Sequence, residues 1–451
     1  MAKDVPIVPR TKTIFNLFKF LDNPIPIVNE ALKTHGDTYM VYLGGTLRNI
    51  MTTNPEVIQH ILQKNNKNYP KSNLTKKSLG KYLGQGLLTS DGEYWLRQRR
   101  LIQPGFHRAK LAKLTDTMNE EITKYIDDLG KRVDAGDNVI NVTSETMELT
   151  LNIVCKSLFG TEFEQSILDE FGELMHFIQE YLMKEVRTPI FHWWRKLNGE
   201  DKLSRAKSQQ INDIVLKFIR DRRADGGEHD DLLDMLINSR YEDTGESMND
   251  KQMLDEALIL FVAGHETSAV SVAWTLLLLG QHEEHSQGLA DEMDKLGKDY
   301  IPGFADVPKL DFSRQVISES LRIYPPAWMV DRMAKEDDVA GGYNIPKGTT
   351  LGAFIYGLHH SEDLWPDSFK FDPSRFTKEN MKKMKPFSYC PFGGGPRLCI
   401  GQHFALMEMQ LIISRLAQSF KFTLVNESIP AVHPLVTLRP KEDIIMKVER
   451  V

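Results

Sequence analysis

The pattern of apolar and polar positions divides the chain into β-rich ends and a helical middle. Residues 39–43 and 49–53, set around Gly44-Gly45, carry β-branched and aromatic side chains and predict a strand pair. A second β-rich group is predicted over residues 339–355, punctuated by Gly341-Gly342 and Pro346-Lys347-Gly348. No proline interrupts the chain between Pro189 and Pro302, and amphipathic spacing there predicts helices near residues 207–223, 231–237 and 250–282. Residues 257–279 form the most apolar stretch and are long enough to suggest a membrane span. Gly264-His265-Glu266-Thr267-Ser268 at its middle opposes that, since a carboxylate at a bilayer centre costs about 2.5–3.5 kcal/mol. A helix apolar nearly all round is expected instead at the centre of a large soluble protein, where its polar residues need a function or a hydrogen-bond partner.

Composition narrows this picture. With 451 residues, 41% of them hydrophobic, and no charged or Pro/Ser/Gly-rich linker, one domain spanning 1–451 is expected. A formal net charge of −6 argues against a general nucleic-acid binder. Three cysteines, Cys155, Cys390 and Cys399, are too few and odd in number for a disulfide framework, which points to a reducing compartment and the cytoplasm. The apolar piece around residues 14–21 is broken by Asn16 and Lys19 and is too short to span a bilayer, so no membrane anchor is expected. Cys390 lies nine residues before Cys399, a spacing unlike that of a zinc pair, and reads as a small buried thiol.

Cys399 stands apart. It sits in Phe392-Gly393-Gly394-Gly395-Pro396-Arg397-Leu398-Cys399-Ile400-Gly401, a glycine-rich loop leading into a helical stretch. Glycines let the backbone approach a flat ligand, and amides of such a turn can stabilise a thiolate. Alone, the residue is either a structural thiol or an iron ligand. The loop fills every fixed position of FxxGxRxCxG with Phe392, Gly395, Arg397, Cys399 and Gly401, and here the chain resembles the cytochrome P450 family. That resemblance implies haem b with Cys399 as the axial iron ligand. It also implies a mainly α fold with small β-sheets: a helical triangular prism with a β-rich side, haem lying between a long distal helix and the Cys loop.

Other motifs recur in the family's order. Ala263-Gly264-His265-Glu266-Thr267 matches (A/G)Gx(D/E)T. By resemblance Gly264 leaves room for dioxygen, Thr267 holds it with a proton-delivering water, and Glu266 relays protons from solvent. A mid-helix threonine can bond to its i−4 carbonyl and loosen the helix. Glu319 and Arg322 form ExxR, with acid and base on one helical face, and Arg375 in Asp372-Pro373-Ser374-Arg375-Phe376 is expected to complete a buried structural cluster. In that segment Ser374 stands where glutamate is more usual. Trp95 and Arg99 match WxxxR; with Arg397, and with Arg332 as a further candidate, they are the expected contacts of acidic haem propionates.

The reaction implied is insertion of one oxygen atom of O2 into a lipophilic small molecule, or O-demethylation of a methyl ether. Electrons would come ultimately from NAD(P)H through a separate ferredoxin or flavodoxin-type donor with its reductase, since no flavin or ferredoxin segment follows Cys399. Arg97, Arg100, Lys382, Lys383 and Lys385 would face an acidic partner, although each reads equally well as a solvated surface charge. The family's pocket-lining regions map to largely apolar segments containing Leu87, Phe177, Tyr181, Phe191, Trp193, Trp194, Phe261, Trp328 and Val436. Two rivals remain: a peroxide-driven peroxygenase, which would not need the Glu266–Thr267 relay, and a non-catalytic haem-binding or gas-sensing module.

Overall fold

The computed structural model describes the chain apart from residues 1, 44–46, 74, 161–164, 189–191, 228 and 230. The expected strand pair is Thr38–Leu43 against Leu47–Thr52, antiparallel, with the Gly44-Gly45 turn outside the described residues. Leu47–Thr52 then pairs in parallel with Thr350–Ala353, which is joined to Val330–Met333, so this four-stranded sheet ties the early chain to segments three hundred residues later. Thr38 and Thr52 face each other across it with buried hydroxyls 2.8 Å apart. The β-like stretch 339–355 resolves into Asp338–Ala340, Tyr343–Ile345 and Thr350–Ala353, and Ile355 already opens a short helix. Near the end of the chain, Ile445–Arg450 lies between Phe420–Leu424 and Val139–Asn141.

The remainder is mostly helical. The helix expected over residues 207–223 runs Glu200–Asp225, starting after Gly199 and ending at Gly226, both in the left-handed region that glycine permits. The segment 231–237 is the helix Leu232–Asn238, capped by the Asp231 carboxylate. The apolar segment forms the longest helix, Asp250–Gln281, which crosses the core and is called the distal helix below. Asn249 and Gln252 close a reciprocal capping box at its start. Its length and hydropathy would let it cross a membrane. It packs instead against the helices Val142–Phe159, Glu200–Asp225, Asp311–Ile323 and Gln402–Ser419, which explains why it is apolar on most of its faces. Trp274 on this helix stacks on Tyr324 at 3.9 Å, where the Asp311–Ile323 helix is ended by Pro325.

The largest core cluster surrounds the distal helix, and two smaller ones fill the β-rich side. The functional residues lie where the distal helix passes the loop that precedes Gln402–Ser419.

Candidate active site

The cysteine loop is built by close approach of two backbones. Gly393 and Gly395 have φ of +74° and +67°. A Cβ on Gly395 would lie 2.0 Å from the Leu62 carbonyl oxygen, so any side chain there would push the loop away from the π-helical turn His60–Lys64. The Cys399 amide donates to the Phe392 carbonyl at 3.1 Å and the Leu398 amide to Gly395 at 3.0 Å, fixing the turn. Cys155 and Cys390 are buried, whereas the Cys399 sulfur is accessible within a deep recess. Enclosure raises its pKa, while the Gly401 amide and the Arg99 guanidinium pull it back towards the thiolate.

Around this recess lies an unbalanced set of charges. Arg99 donates to the Leu398 carbonyl at 2.8 Å. Arg397 donates to Ser90 O at 3.1 Å, pairs with Asp91 and lies 4.2 Å above the Trp95 ring, so Trp95 positions this arginine through its π face. Arg332 is buried and donates to the Asp331 carbonyl at 2.7 Å. Lys71, which no motif marks, is buried beside them with its ammonium on the Leu87 and Leu88 carbonyls. Burial, followed by the charges of Arg397 and Arg332, pushes its pKa down to about 7. Asp91 and Asp331 are the opposing carboxylates; Asp91 also pairs with Lys76 at 3.2 Å, and Asp331 accepts from Ser72 and from Thr75 at 2.6 Å. Positive charge is in surplus.

On the distal helix, Ala263 is exposed and Thr267 half-buried although the turns on either side are buried, so this stretch borders accessible space inside the protein. The Thr267 hydroxyl donates to Ala263 O at 2.6 Å. Ser271 and Thr275 repeat the same i−4 bond at 2.7 Å each. The open position of Gly264 points at Val154, 3.5 Å from where a Cβ would stand. That is an ordinary contact distance to Val142–Phe159, and on this turn Ala263 is the exposed residue.

Glu266 is buried, not on a solvated face. It accepts from Thr437 at 2.6 Å, from Arg439 Nε at 2.6 Å and from Gln179. Arg439 continues to Gln179 Oε1 at 2.6 Å and to Nδ1 of the exposed His176 at 3.4 Å. Among the described residues Arg439 and Gln179 stand between Glu266 and the exposed His176. One residue after Thr267, the Ser268 hydroxyl donates at 2.5 Å to Glu408 on Gln402–Ser419. Glu408 is fully buried, its other oxygen has no partner among the described residues, and burial pushes its pKa up to about 8.

A family model described as cytochrome P450 matches residues 6–447. The chain belongs to the cytochrome P450 family. This P450 is 32% identical over 395 residues to a cyclooctat-9-en-7-ol 5-monooxygenase of Streptomyces melanosporofaciens, covering 87% of this chain and 83% of that protein. It is 32% identical over 421 residues to a cytokinin hydroxylase of Arabidopsis thaliana, covering 91% and 80%. The crystal structure of the cytochrome P450DA heme domain superposes with a TM-score of 0.88, at 24% identity and with 100% and 98% of the two chains covered, so the fold is that of the family. The protein is an oxidoreductase of the monooxygenase type, and membership implies haem, O2 and a redox partner.

The residues of this P450 fit haem on their own terms. An accessible sulfur pulled towards the thiolate suits iron ligation, and the surplus of buried cations suits a dianionic group.

Away from the recess, the ExxR motif forms a closed unit. Arg322 and Glu319, both fully buried, are joined by bonds of 2.6 and 2.8 Å; Arg322 also donates to the His359 carbonyl at 2.8 Å, and Arg375 approaches Glu319 at 3.4 Å. His359 is buried beside them and its Nε2 accepts from the Cys390 amide at 3.1 Å.

The expected pocket residues separate. Leu87 is buried in the main core and Val436 packs against it, the Leu87 amide donating to Glu256 at 3.0 Å. Tyr181 is buried, stacked on Phe177 at 6.3 Å. Phe261 packs into the helix–helix core at 4.3 Å from Phe171, and Trp328 belongs to the β-side core with its indole on Leu435 O at 3.0 Å. Trp193 and Trp194 point to the outside of the protein. Phe191 lies outside the described residues. On the expected partner face Arg97 pairs with Asp243, Lys383 with Glu379 and Lys385 with Glu56, whereas Arg100 and Lys382 are exposed.

Proposed function

We propose that this P450 inserts one oxygen atom of O2 into a lipophilic small molecule, as a hydroxylation or, for a methyl ether, an O-demethylation. Its electrons derive from NAD(P)H through a separate ferredoxin or flavodoxin-type donor with its reductase, and it works in the cytoplasm as one domain. The observation carrying this reading is the accessible Cys399 sulfur in a glycine loop beside a surplus of buried cations. Haem bound there supplies the activation of dioxygen.

The chain's own side chains do the rest. Cys399 binds through its sulfur, and Arg99, Arg332, Arg397 and Lys71 meet the acidic side groups. Thr267 presents a hydroxyl oxygen whose proton is already given to Ala263, so that oxygen is free to accept a proton donor from the accessible side. Glu266, one residue before Thr267 and held by Arg439, Thr437 and Gln179, is the buried carboxyl that would supply protons on this side. This polar relay favours O2 over peroxide as the oxidant. Apolar side chains at Ala263, Leu87, Leu435 and Val436 favour an apolar substrate, in keeping with the relative named cyclooctat-9-en-7-ol 5-monooxygenase. Arg100 and Lys382 suit an acidic donor.

The test is the CO difference spectrum of the reduced protein, wild type beside Cys399→His. A strongly red-shifted Soret band in wild type alone is expected, followed by substrate-linked spin shifts with lipophiles. A histidine-type band in both, or no haem in wild type, overturns the reading.

A further inference from the structure

Residues 84–90 join the short helix Gly80–Leu83 to the helix Gly92–Ile102, and their backbone is gripped both at its amides and at its carbonyls. From the distal helix come two adjacent buried carboxylates: Asp255 accepts from the Gln85 amide at 2.9 Å and Glu256 from the Leu87 amide at 3.0 Å. The approach is so close that a Cβ on Gly84 would overlap Asp255 and one on Gly86 would overlap Glu256. At the carbonyls stand two cations of the group beside the cysteine recess. Lys71 donates to Leu87 O at 3.2 Å and to Leu88 O, and Arg397 donates to Ser90 O at 3.1 Å. Leu87 therefore has its amide on an acid and its carbonyl on a base.

Neither grip is electrically complete. One oxygen of Glu256 is buried with no partner among the described residues, and burial pushes its pKa up to about 8 although the Leu87 amide and Lys71 pull it down. Lys71 is repelled by Arg397 and Arg332 more strongly than Asp91 and Asp331 attract it. Its ammonium has three N–H donors and places two on carbonyls, which leaves one for an acid. Glu256 also stands at the end of the accessible stripe of the distal helix. Leu260, Ala263 and Thr267 follow it at three- and four-residue spacing, Ala263 exposed and the other two half-buried. On the gripped segment Leu88 is half-buried as well.

We propose that residues 84–90 are a strap that carries the occupancy of the cation group to the distal helix, with Lys71 and Glu256 as its positioning residues. This rests on the haem reading above, because the acidic side groups of haem are the counter-charge required. Without that counter-charge, mutual repulsion weakens the hold of Lys71 and Arg397 on the three carbonyls. With it, both cations are fixed, the Leu87 peptide is pinned between Lys71 and Glu256, and the wall beside the accessible stripe is closed. The pocket for a lipophile is then completed only in the loaded protein, and by reciprocity a lipophile resting on that wall slows haem loss.

Amide hydrogen exchange of the full chain, with and without haem, tests the strap. In wild type the Gln85 and Leu87 amides are expected to exchange about tenfold more slowly when haem is bound. Lys71→Met should lose that difference, while amides of the helix Asp311–Ile323 behave as in wild type. Glu256→Leu should leave the Leu87 amide fast in both states, and Glu256→Gln, whose side-chain carbonyl still accepts, should restore wild-type protection. This last pair decides even if Lys71→Met takes up no haem. An equal haem effect in wild type and Lys71→Met, no haem effect in wild type, or identical exchange in Glu256→Leu and Glu256→Gln overturns the strap. Wild type without the red-shifted CO band removes the haem reading and the strap together; that band with unchanged exchange removes the strap alone.

Discussion

This P450 encloses two groups of charge, one beside the recess and one away from it. In the Glu319–Arg322–Arg375 group each charge is met within the protein, by the opposite charge or by carbonyls such as that of His359. Around Lys71, Arg99, Arg332 and Arg397 carbonyls meet the cations but carboxylates do not balance them, and burial, followed by the charges of Arg397 and Arg332, brings the lysine down to about 7. A closed group is architecture, because removing one member strands another. An open group is a binding site in waiting, because the missing counter-charge must be brought by a ligand.

Breaking the closed group should have the largest effect. Arg322→Ala leaves Glu319 buried and unpaired and is expected to cost about 3–5 kcal/mol, so that little folded haem protein is recovered. Full haem incorporation at wild-type denaturation midpoint would erase the distinction. Arg332→Met sharpens the other side. The haem-free protein should keep or gain stability in denaturant, while haem binding weakens by about 2 kcal/mol, the worth of a charge-assisted bond, read as faster haem loss to a scavenger.

Glu408 is a third case, a buried acid with no cation beside it among the described residues. Unfolded it ionises near the ordinary value of about 4.3, but folded it keeps its proton up to about 8. Between those values the folded chain holds a proton the unfolded chain has released, so this residue's contribution to stability falls as pH rises. Glu408→Gln should therefore be more stable than wild type by about 2 kcal/mol at pH about 6 and by more towards pH about 8, with the difference vanishing towards pH about 4. A pH-independent difference in thermal midpoint would show that the acid does not titrate in this window. The smallest effect on stability belongs to Thr267→Ala, which removes a hydroxyl bonded to its own helix, expected to be within about 1 kcal/mol. Its effect should lie in the products, with haem and CO binding retained and electrons diverted to peroxide; unchanged coupling of electrons to product would remove Thr267 from the proton path.

What was legible in the sequence was whatever is local. The cysteine loop, the Thr267 turn and the ExxR pair each occupy one short stretch, and spacing alone places their members together. Lys71, Glu408 and the Thr437–Arg439–Gln179 cage around Glu266 were not legible, because each meets its partners only through tertiary contact between distant segments. Lys71 and Glu408 offered one signal, a charge amid residues that became core. Hydrophobicity also fails to say which side of a wall a residue faces: Phe261 and Trp328 became buried and Trp193 and Trp194 became exterior, all from the same apolar appearance.

The bonds to Glu266, Trp274 and Trp328 share an origin in residues 435–439, through Leu435, Thr437, Leu438 and Arg439. During synthesis the distal helix leaves the ribosome long before these residues are made. Until then its buried glutamate has neither hydroxyl nor guanidinium to hold it, and the Cys399 loop too is still to come. Ribosome-bound chains that stop short of residue 435 should therefore be good clients for chaperones and poor acceptors of haem, which makes completion of this pocket a late event in the protein's life.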